Sequence, residues 1–358
     1  VTPPPAESAA PSGPAPPSAP SGRTNPGIEV ARLLAVASIV LAHFKPWATG
    51  GAMNAYASLM EVLGNLGVPL FFALSGYLFR PRPEQGLLRY VAGRRYLAPW
   101  LVCGTAGYLF IIFQHGWPYV PVNHLDWLIG NPSIYFFLTL LLVFEVFTRL
   151  VREASPAAVL GIALLLALGS TSYAATRVLP NPNGFYAGIS QLLLNLNPLN
   201  FYVYYALGRL LAAGGGLAAR ARSGRWALLG LFGLLLAAKV GETWWLVSHG
   251  RPWLGYFSPL MVLLGGALIL AAHGLLTAAP DPPGWLRRLA SLGVYTFPVY
   301  LLHPIAVAVL DAAFRAHRVP MVPWHLAAVA AILAGLTAVA ALARKVLPAP
   351  VTRTLIGA

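Results

Sequence analysis

The sequence predicts an all-α integral membrane protein of about ten transmembrane helices, with both termini in the cytoplasm. Three observations lead there. The 358 residues are 58% hydrophobic and 9% charged, with a mean hydropathy of +0.68, whereas soluble domains carry about 25% charged residues. Ten apolar segments approach or exceed the length needed to cross a hydrocarbon layer, about 20 helical residues. The basic residues also alternate between sides. Of 24 lysines and arginines, 17 fall on the side of the N-terminal tail, the loops near 80–95, 149–152, 209–225 and 287–288, and the C-terminal end. Five (Lys45, Arg177, Arg251, Arg315, Arg318) fall on the other side, and Arg32 and Lys239 lie within helices. The richer side is the cytoplasmic one. The formal charge of +14 is therefore a topology signal, and no nucleic-acid partner is expected.

Residues 1–26, VTPPPAESAAPSGPAPPSAPSGRTNP, are nearly all Pro, Ala, Ser and Gly. Such a stretch cannot build a core and reads as a disordered cytoplasmic tail. It lacks the basic start and apolar core of a signal peptide, so the first apolar segment is expected to be retained. A ten-helix membrane domain follows over 27–346. Its spans lie near 27–44, 58–79, 96–113, 133–151, 156–173, 190–213, 224–247, 254–277, 292–314 and 322–345. Residues 347–358 form a cytoplasmic C-terminal tail. Pro69, Ser75 and Gly76 in the second span point to a kink, close packing or a channel lining, and Pro304 points to a kink in the ninth. Trp117, Trp127, Trp244, Trp245, Trp253 and Trp324 fall near outer helix ends, as an aromatic belt does. Gly214, Gly215 and Gly216 follow no strand and read as a flexible turn. The single cysteine, Cys103, permits neither an intramolecular disulfide nor a Cys-based metal site, and no metal is expected.

Ionisable side chains inside a bilayer usually face a protein interior or a water-filled cavity. Here they are Arg32, His43, Glu61, Glu145, Lys239, Glu242, His273, His303 and Asp311. Lys239 and Glu242, three apart on one helix, can neutralise each other. Glu61, His273 and Asp311 sit near helix ends. Arg32 and His43 are different. Eleven residues apart, they are separated by ~16 Å of helix and fall within about 20° of one face. One face thus presents a permanent cation near the cytoplasm and an imidazole towards the outside. Glu29, one turn before Arg32, can hold its guanidinium. The alternatives are snorkelling for Arg32 and an interfacial helix end for His43. Arginine suits phosphate, and histidine is the natural base near neutral pH. Together they suit a phosphate-bearing donor on the inside and a proton transfer nearer the outside. Glu145, in the inner half of the fourth span, is placed by depth to pair with Arg32. His303, in the outer half of the ninth, shares the depth of His43. Ser75 has no neighbouring base in sequence and is not expected to be a nucleophile.

Four stretches resemble the membrane acyltransferase-3 family. The first, 28-IEVARLLAVASIVLAHF-44, matches its acid-x-x-Arg start and later His, with Glu29 where Asp is commoner. The second is 67-GVPLFFALSGYLF-79, the third is 94-RRYLAPW-100, and the fourth is 291-SLGVYTFPVYLLHP-304. They occur in the family's order and cover 27–345. Arg94 and Arg95 are adjacent here, where many members have Arg-x-x-Arg, so Arg89 or Arg95 can stand in for the family's basic residue.

The resemblance implies an acyl-CoA-dependent O-acyltransferase. Acyl-CoA, commonly acetyl-CoA, is the donor substrate; Arg32 with Arg89, Arg94 and Arg95 would bind its phosphates. His43 would deprotonate an acceptor hydroxyl or relay the acyl group. Ser75, Glu145, Glu29 and His303 would line or support the site. The implied acceptor is a glycan or lipid-linked sugar, or less often an antibiotic-like small molecule. Membrane lipids surround the spans, and a separate extracytoplasmic protein could complete the transfer. Some members carry an appended extracytoplasmic hydrolase-like domain, which is not expected here. The Ala/Pro/Gly/Arg-rich composition suits a high-GC bacterium and hence a bacterial inner membrane. A secondary transporter or exporter of a glycan or metabolite also suits buried charges and broken helices, but the expected inverted repeat is missing. A receptor or structural membrane protein is the third reading.

Overall fold

The computed structural model describes residues 25–44, 55–80, 85–94, 96–115, 124–129, 135–178, 197–251, 253–277, 283–317 and 321–356. The expectations for the tail at 1–24, for Arg95 and Trp117, and for the first part of the sixth span, at 190–196, lie outside these residues. The described chain is helical throughout. In order the helices are α1 (Pro26–His43), α2 (Ala55–Asn65), α3 (Gly67–Leu78), α4 (Leu87–Ala92), α5 (Leu97–His115), α6 (His124–Ile129), α7 (Phe136–Leu150) and α8 (Pro156–Val178). Then come α9 (Pro198–Ala212), α10 (Gly216–Ser223), α11 (Arg225–Ser248), α12 (Pro259–Leu276), α13 (Gly284–Ala290), α14 (Thr296–Ala316), α15 (Met321–Val346) and α16 (Ala349–Ile356). Short 3₁₀ turns cover Gly255–Phe257 and Ser291–Tyr295.

Among the described residues, seven helical stretches are long and apolar enough to cross a membrane. They correspond to α1, α2 with α3, α8, α11, α12, the run from α13 to α14, and α15. The other three expected spans coincide with α5, α7 and α9, which are not among the seven. At 15 residues, α7 and α9 are each ~22 Å long, less than the ~30 Å of a hydrocarbon core. The expected C-terminal tail carries a helix of its own, α16, which packs against α5, α14 and α15.

Local chemistry sets the boundaries that matter for function. Asn25 caps α1, its Oδ1 accepting from the Gly27 N–H at 2.8 Å. Pro26 occupies the first turn, where a missing N–H costs nothing. The second span breaks between Asn65 and Gly67 because Pro69 has no N–H to give the Asn65 carbonyl four residues back.

Small residues set the core. In α2 and α3, 83% of the spanning window is buried, against 11% in α11, so α2 and α3 lie at the centre and α11 at the lipid-facing edge. A Cβ on Gly64 or Gly67 would strike the backbone of α1 at Ala42 or Ala35. One on Gly76 or Gly208 would strike the backbone of Tyr205 or Ala73, locking α3 to α9. Gly76 is therefore a packing residue. The hub is α1, which packs against α2, α3, α12, α13, α14 and α15.

Polar groups on the spans are mostly neutralised locally. Buried Lys239 pairs with Glu242, which also accepts from Ser258 Oγ at 2.8 Å. Arg315 pairs with Asp311 at 2.6 Å, and Asn65 donates to Glu61. Trp244, Trp245 and Trp324 are exposed, as residues facing a lipid–water boundary would be.

Candidate active site

At the N-terminal end of α1, Arg32 Nη1 donates to both carboxylate oxygens of Glu29, at 3.1 and 3.3 Å. Glu29 is buried and fills the space where Gly293 has no side chain; a Cβ there would collide with the carboxylate. The 3₁₀ turn Ser291–Tyr295 is fixed in turn by Thr296 Oγ1, which donates to the Gly293 carbonyl at 2.7 Å. The glycine of the 291-SLGVY-295 stretch thus makes room for the acid that orients Arg32.

Arg32 faces a cavity of about 880 Å³, lined also by Ser75, Arg80, Arg94, Tyr96 and Glu145. Its apolar walls include Phe71, Phe137 and Phe297. Three guanidinium groups against Glu145 and the Glu29 carboxylate paired with Arg32 leave it with a positive excess. Glu145 does not pair with Arg32, as depth alone suggested. It forms an ion pair with Arg94 and accepts from Tyr96 Oη at 3.2 Å and Tyr90 Oη at 3.4 Å. The reason is local: Arg32 is already held one helical turn away by Glu29, while Glu145 faces the segment where Arg94 and Tyr96 enter α5. Arg94 also lies over the rings of Tyr90 and Tyr96, with its guanidinium carbon 5.2 and 5.4 Å from their centroids, a further source of attraction for a cation.

At the other end of α1, His43 is exposed and its ring lies 5.1 Å from that of His303, centroid to centroid. His303 is fully buried. Pro304 has no N–H for the Tyr300 carbonyl four residues back, and His303 Nδ1 takes that carbonyl instead, at 2.6 Å. A carbonyl only accepts, so Nδ1 carries the proton and neutral His303 presents Nε2 as a bare lone pair. That buried Nε2 has no hydrogen-bond partner among the described residues.

Rings connect the two ends. Phe71 and Phe137, at the cavity wall, lie 6.1 and 5.5 Å from Tyr300, which lies 5.8 Å from His303. His43 and His303 are not among the residues lining the cavity. Phe71, Phe137 and Tyr300 therefore stand between the arginine-lined cavity and the histidine pair.

The structure thus gathers Arg32, Ser75, Arg94 and Glu145 in one cavity, brings His43 to His303, and sets Glu29 behind Arg32. Arg89 is exposed on α4 and does not line that cavity, while Arg95 lies outside the described residues. Sequence reasoning missed Arg80, Tyr90 and Tyr96. Arg80 donates to the Tyr77 and Phe79 carbonyls, both at 3.1 Å, at the end of α3. A cation two residues beyond a helix end was the signal for that role. The two tyrosines flank the arginine cluster, where their rings would pass for interfacial anchors.

A family model described as an acyltransferase domain, acyltransferase-3, matches residues 25–344, nearly the whole chain. No curated protein and no solved structure matches the chain. The match covers all four stretches that carried the resemblance, and the chain belongs to the acyltransferase-3 family.

Proposed function

We propose that this membrane acyltransferase moves an acyl group, commonly acetyl, from cytoplasmic acyl-CoA to a hydroxyl of an extracytoplasmic or membrane-associated glycan. One observation carries the reading. A cavity lined by three arginines and the pair of exposed His43 with buried His303 lie at opposite ends of α1, with a run of rings between them. Arginine forks match phosphate oxygens, so Arg32, Arg80 and Arg94 would hold the phosphates of CoA. The pantetheine arm would then pass Phe71, Phe137 and Tyr300 to bring the thioester towards His43.

His43 takes the proton of the acceptor hydroxyl as its oxygen attacks the thioester carbonyl. The new C–O bond forms and the C–S bond breaks. The CoA thiolate leaves and recovers a proton from the His43 imidazolium. The His303 lone pair has no partner among the described residues, and its ring neighbours that of His43. In the reacting complex it would accept from a His43 N–H, fixing the tautomer of the base and stabilising its charged form, as an orienting group does in a catalytic triad. Glu29 and Glu145 keep two of the arginines pointed at the cavity. The expected setting is a bacterial inner membrane with the Arg32 end inside.

Native membranes supplied with radiolabelled acetyl-CoA test this. The wild type is expected to place label on glycan, and His43→Ala to abolish it. Full glycan labelling by His43→Ala would overturn the assignment.

A further inference from the structure

A third histidine, this one buried, stands at the His43 end of α1. His325, near the start of α15, is fully buried, with both ring nitrogens engaged. Nε2 meets the backbone carbonyl of Phe44 at 2.5 Å and Nδ1 meets Tyr56 Oη at 3.0 Å. Its ring stacks on Phe44, 5.9 Å between centroids with 9° between planes. We propose that His325 and Tyr56 are positioning residues for His43, holding the end of α1 so that the catalytic imidazole keeps its place against His303.

The direction of the chain follows from the partners. The Phe44 carbonyl only accepts, so His325 Nε2 donates. In the neutral ring Nδ1 is then the acceptor, and Tyr56 donates to it. The order is Tyr56 O–H to His325 Nδ1, and His325 Nε2–H to the Phe44 carbonyl. Three separate elements, α2, α15 and the end of α1, are thereby fixed to one another.

The location matters because of what it follows. Phe44 is the residue after His43 and leaves the helix, with φ −93° and ψ 82°. Its N–H still bonds to the Val40 carbonyl at 2.9 Å, but its own carbonyl has turned out of the helix towards α15. The last carbonyls of a helix have no partner within it, and helix ends fray. A fraying last turn would carry His43 with it. A catalytic group must be held to within about 0.5 Å of its productive place. His325 takes the Phe44 carbonyl and stacks on its ring, removing that freedom. Packing alone would not need an imidazole there: an apolar ring could stack on Phe44 without burying two polar nitrogens, each of which is costly if left unpaired.

This inference rests on His43 being the base, so the test carries both. Membranes with equal amounts of folded protein are supplied with radiolabelled acetyl-CoA over a range of concentrations, and the maximal labelling rate and apparent KM are read separately. His325→Phe keeps the stacking and loses both hydrogen bonds. Its maximal rate is expected to fall about 30-fold, on the scale that small misplacements of catalytic groups produce, with KM for acetyl-CoA unchanged. His325→Gln restores an N–H at the Nε2 position and is expected to return the rate to within about threefold of wild type. A wild-type rate in His325→Phe, a loss that Gln does not rescue, or a raised KM would each overturn the proposal. Where His325→Phe does not accumulate, Tyr56→Phe decides: a lowered rate at unchanged KM supports the positioning role, and a wild-type rate overturns it. His43→Ala is run alongside. If it is inactive while His325→Phe is fully active, only this inference fails; if it is active, the proposed function fails with it.

Discussion

The His43 and His303 rings lie 5.1 Å apart, and Pro304 is the reason His303 can face its neighbour as a bare base. The proline frees the Tyr300 carbonyl, His303 Nδ1–H takes it, and Nε2 is left with a lone pair. Replacing Pro304 by Ala would restore a helical N–H to compete for that carbonyl. Pro304→Ala is expected to lower the maximal acyl-transfer rate about tenfold, and His303→Ala about 100-fold, within the range for general-base machinery. Both should leave KM for acetyl-CoA unchanged, because the arginine cavity is elsewhere. Initial-rate measurements in native membranes check this; a raised KM with a normal maximal rate would place His303 on the donor instead.

The structure chooses among the arginines. Arg94 lines the cavity and Arg89 does not. Arg94→Ala is expected to raise KM for acetyl-CoA more than tenfold, since charge-assisted bonds contribute about 1.5–3 kcal/mol each. Arg89→Ala should have a clearly smaller effect. Arg32→Lys, which keeps the charge but loses the fork, should also raise KM. Equal effects from Arg89 and Arg94 would show that the donor reaches beyond this cavity.

Gly293 links a backbone position to that chemistry. Gly293→Ala would push a methyl group into Glu29 and displace the carboxylate that orients Arg32. The expected result is a raised KM for acetyl-CoA. Gly76→Ala acts differently: its Cβ would meet the Tyr205 carbonyl between α3 and α9. Overpacking of this kind costs about 1–3 kcal/mol, so thermal unfolding in detergent should fall for Gly76→Ala. A normal melting curve for Gly76→Ala would contradict the packing role.

Much of this was legible in the sequence. Low charge and long apolar runs sufficed for an all-helical membrane fold, and among the described residues seven of the ten expected runs are long and apolar enough to span. The break near Pro69 followed from its missing N–H. The shared face of Arg32 and His43 followed from helical period. What was not legible was partnership across the fold. Glu145 was placed with Arg32 because depth is readable from helix direction, whereas rotation about the helix axis is not; that rotation turns it to Arg94. His325 escaped notice because a histidine beside Trp324 at the start of a span reads as interfacial. Only the packing of α15 against α1 reveals that it is buried. Arg80 was counted for topology alone, since nothing local says that the end of α3 borders a cavity.

The ring layer makes its own prediction. Phe137 both lines the cavity and touches Tyr300. Phe137→Ala opens that wall and is expected to admit longer acyl groups, measured as a changed ratio of hexanoyl to acetyl transfer. An unchanged ratio would mean that the thioester does not pass there.

The central claim is that one path joins a donor bound at the Arg32 end to a proton transfer at the His43 end, with the membrane between. Sealed inside-out membrane vesicles, given radiolabelled acetyl-CoA in the external medium, test it most directly. The account predicts label on acceptor glycan inside the lumen, lost in His43→Ala and in Arg94→Ala at low donor concentration. Label appearing only on the side where the acetyl-CoA was added, or lumenal label undiminished in His43→Ala, would contradict it.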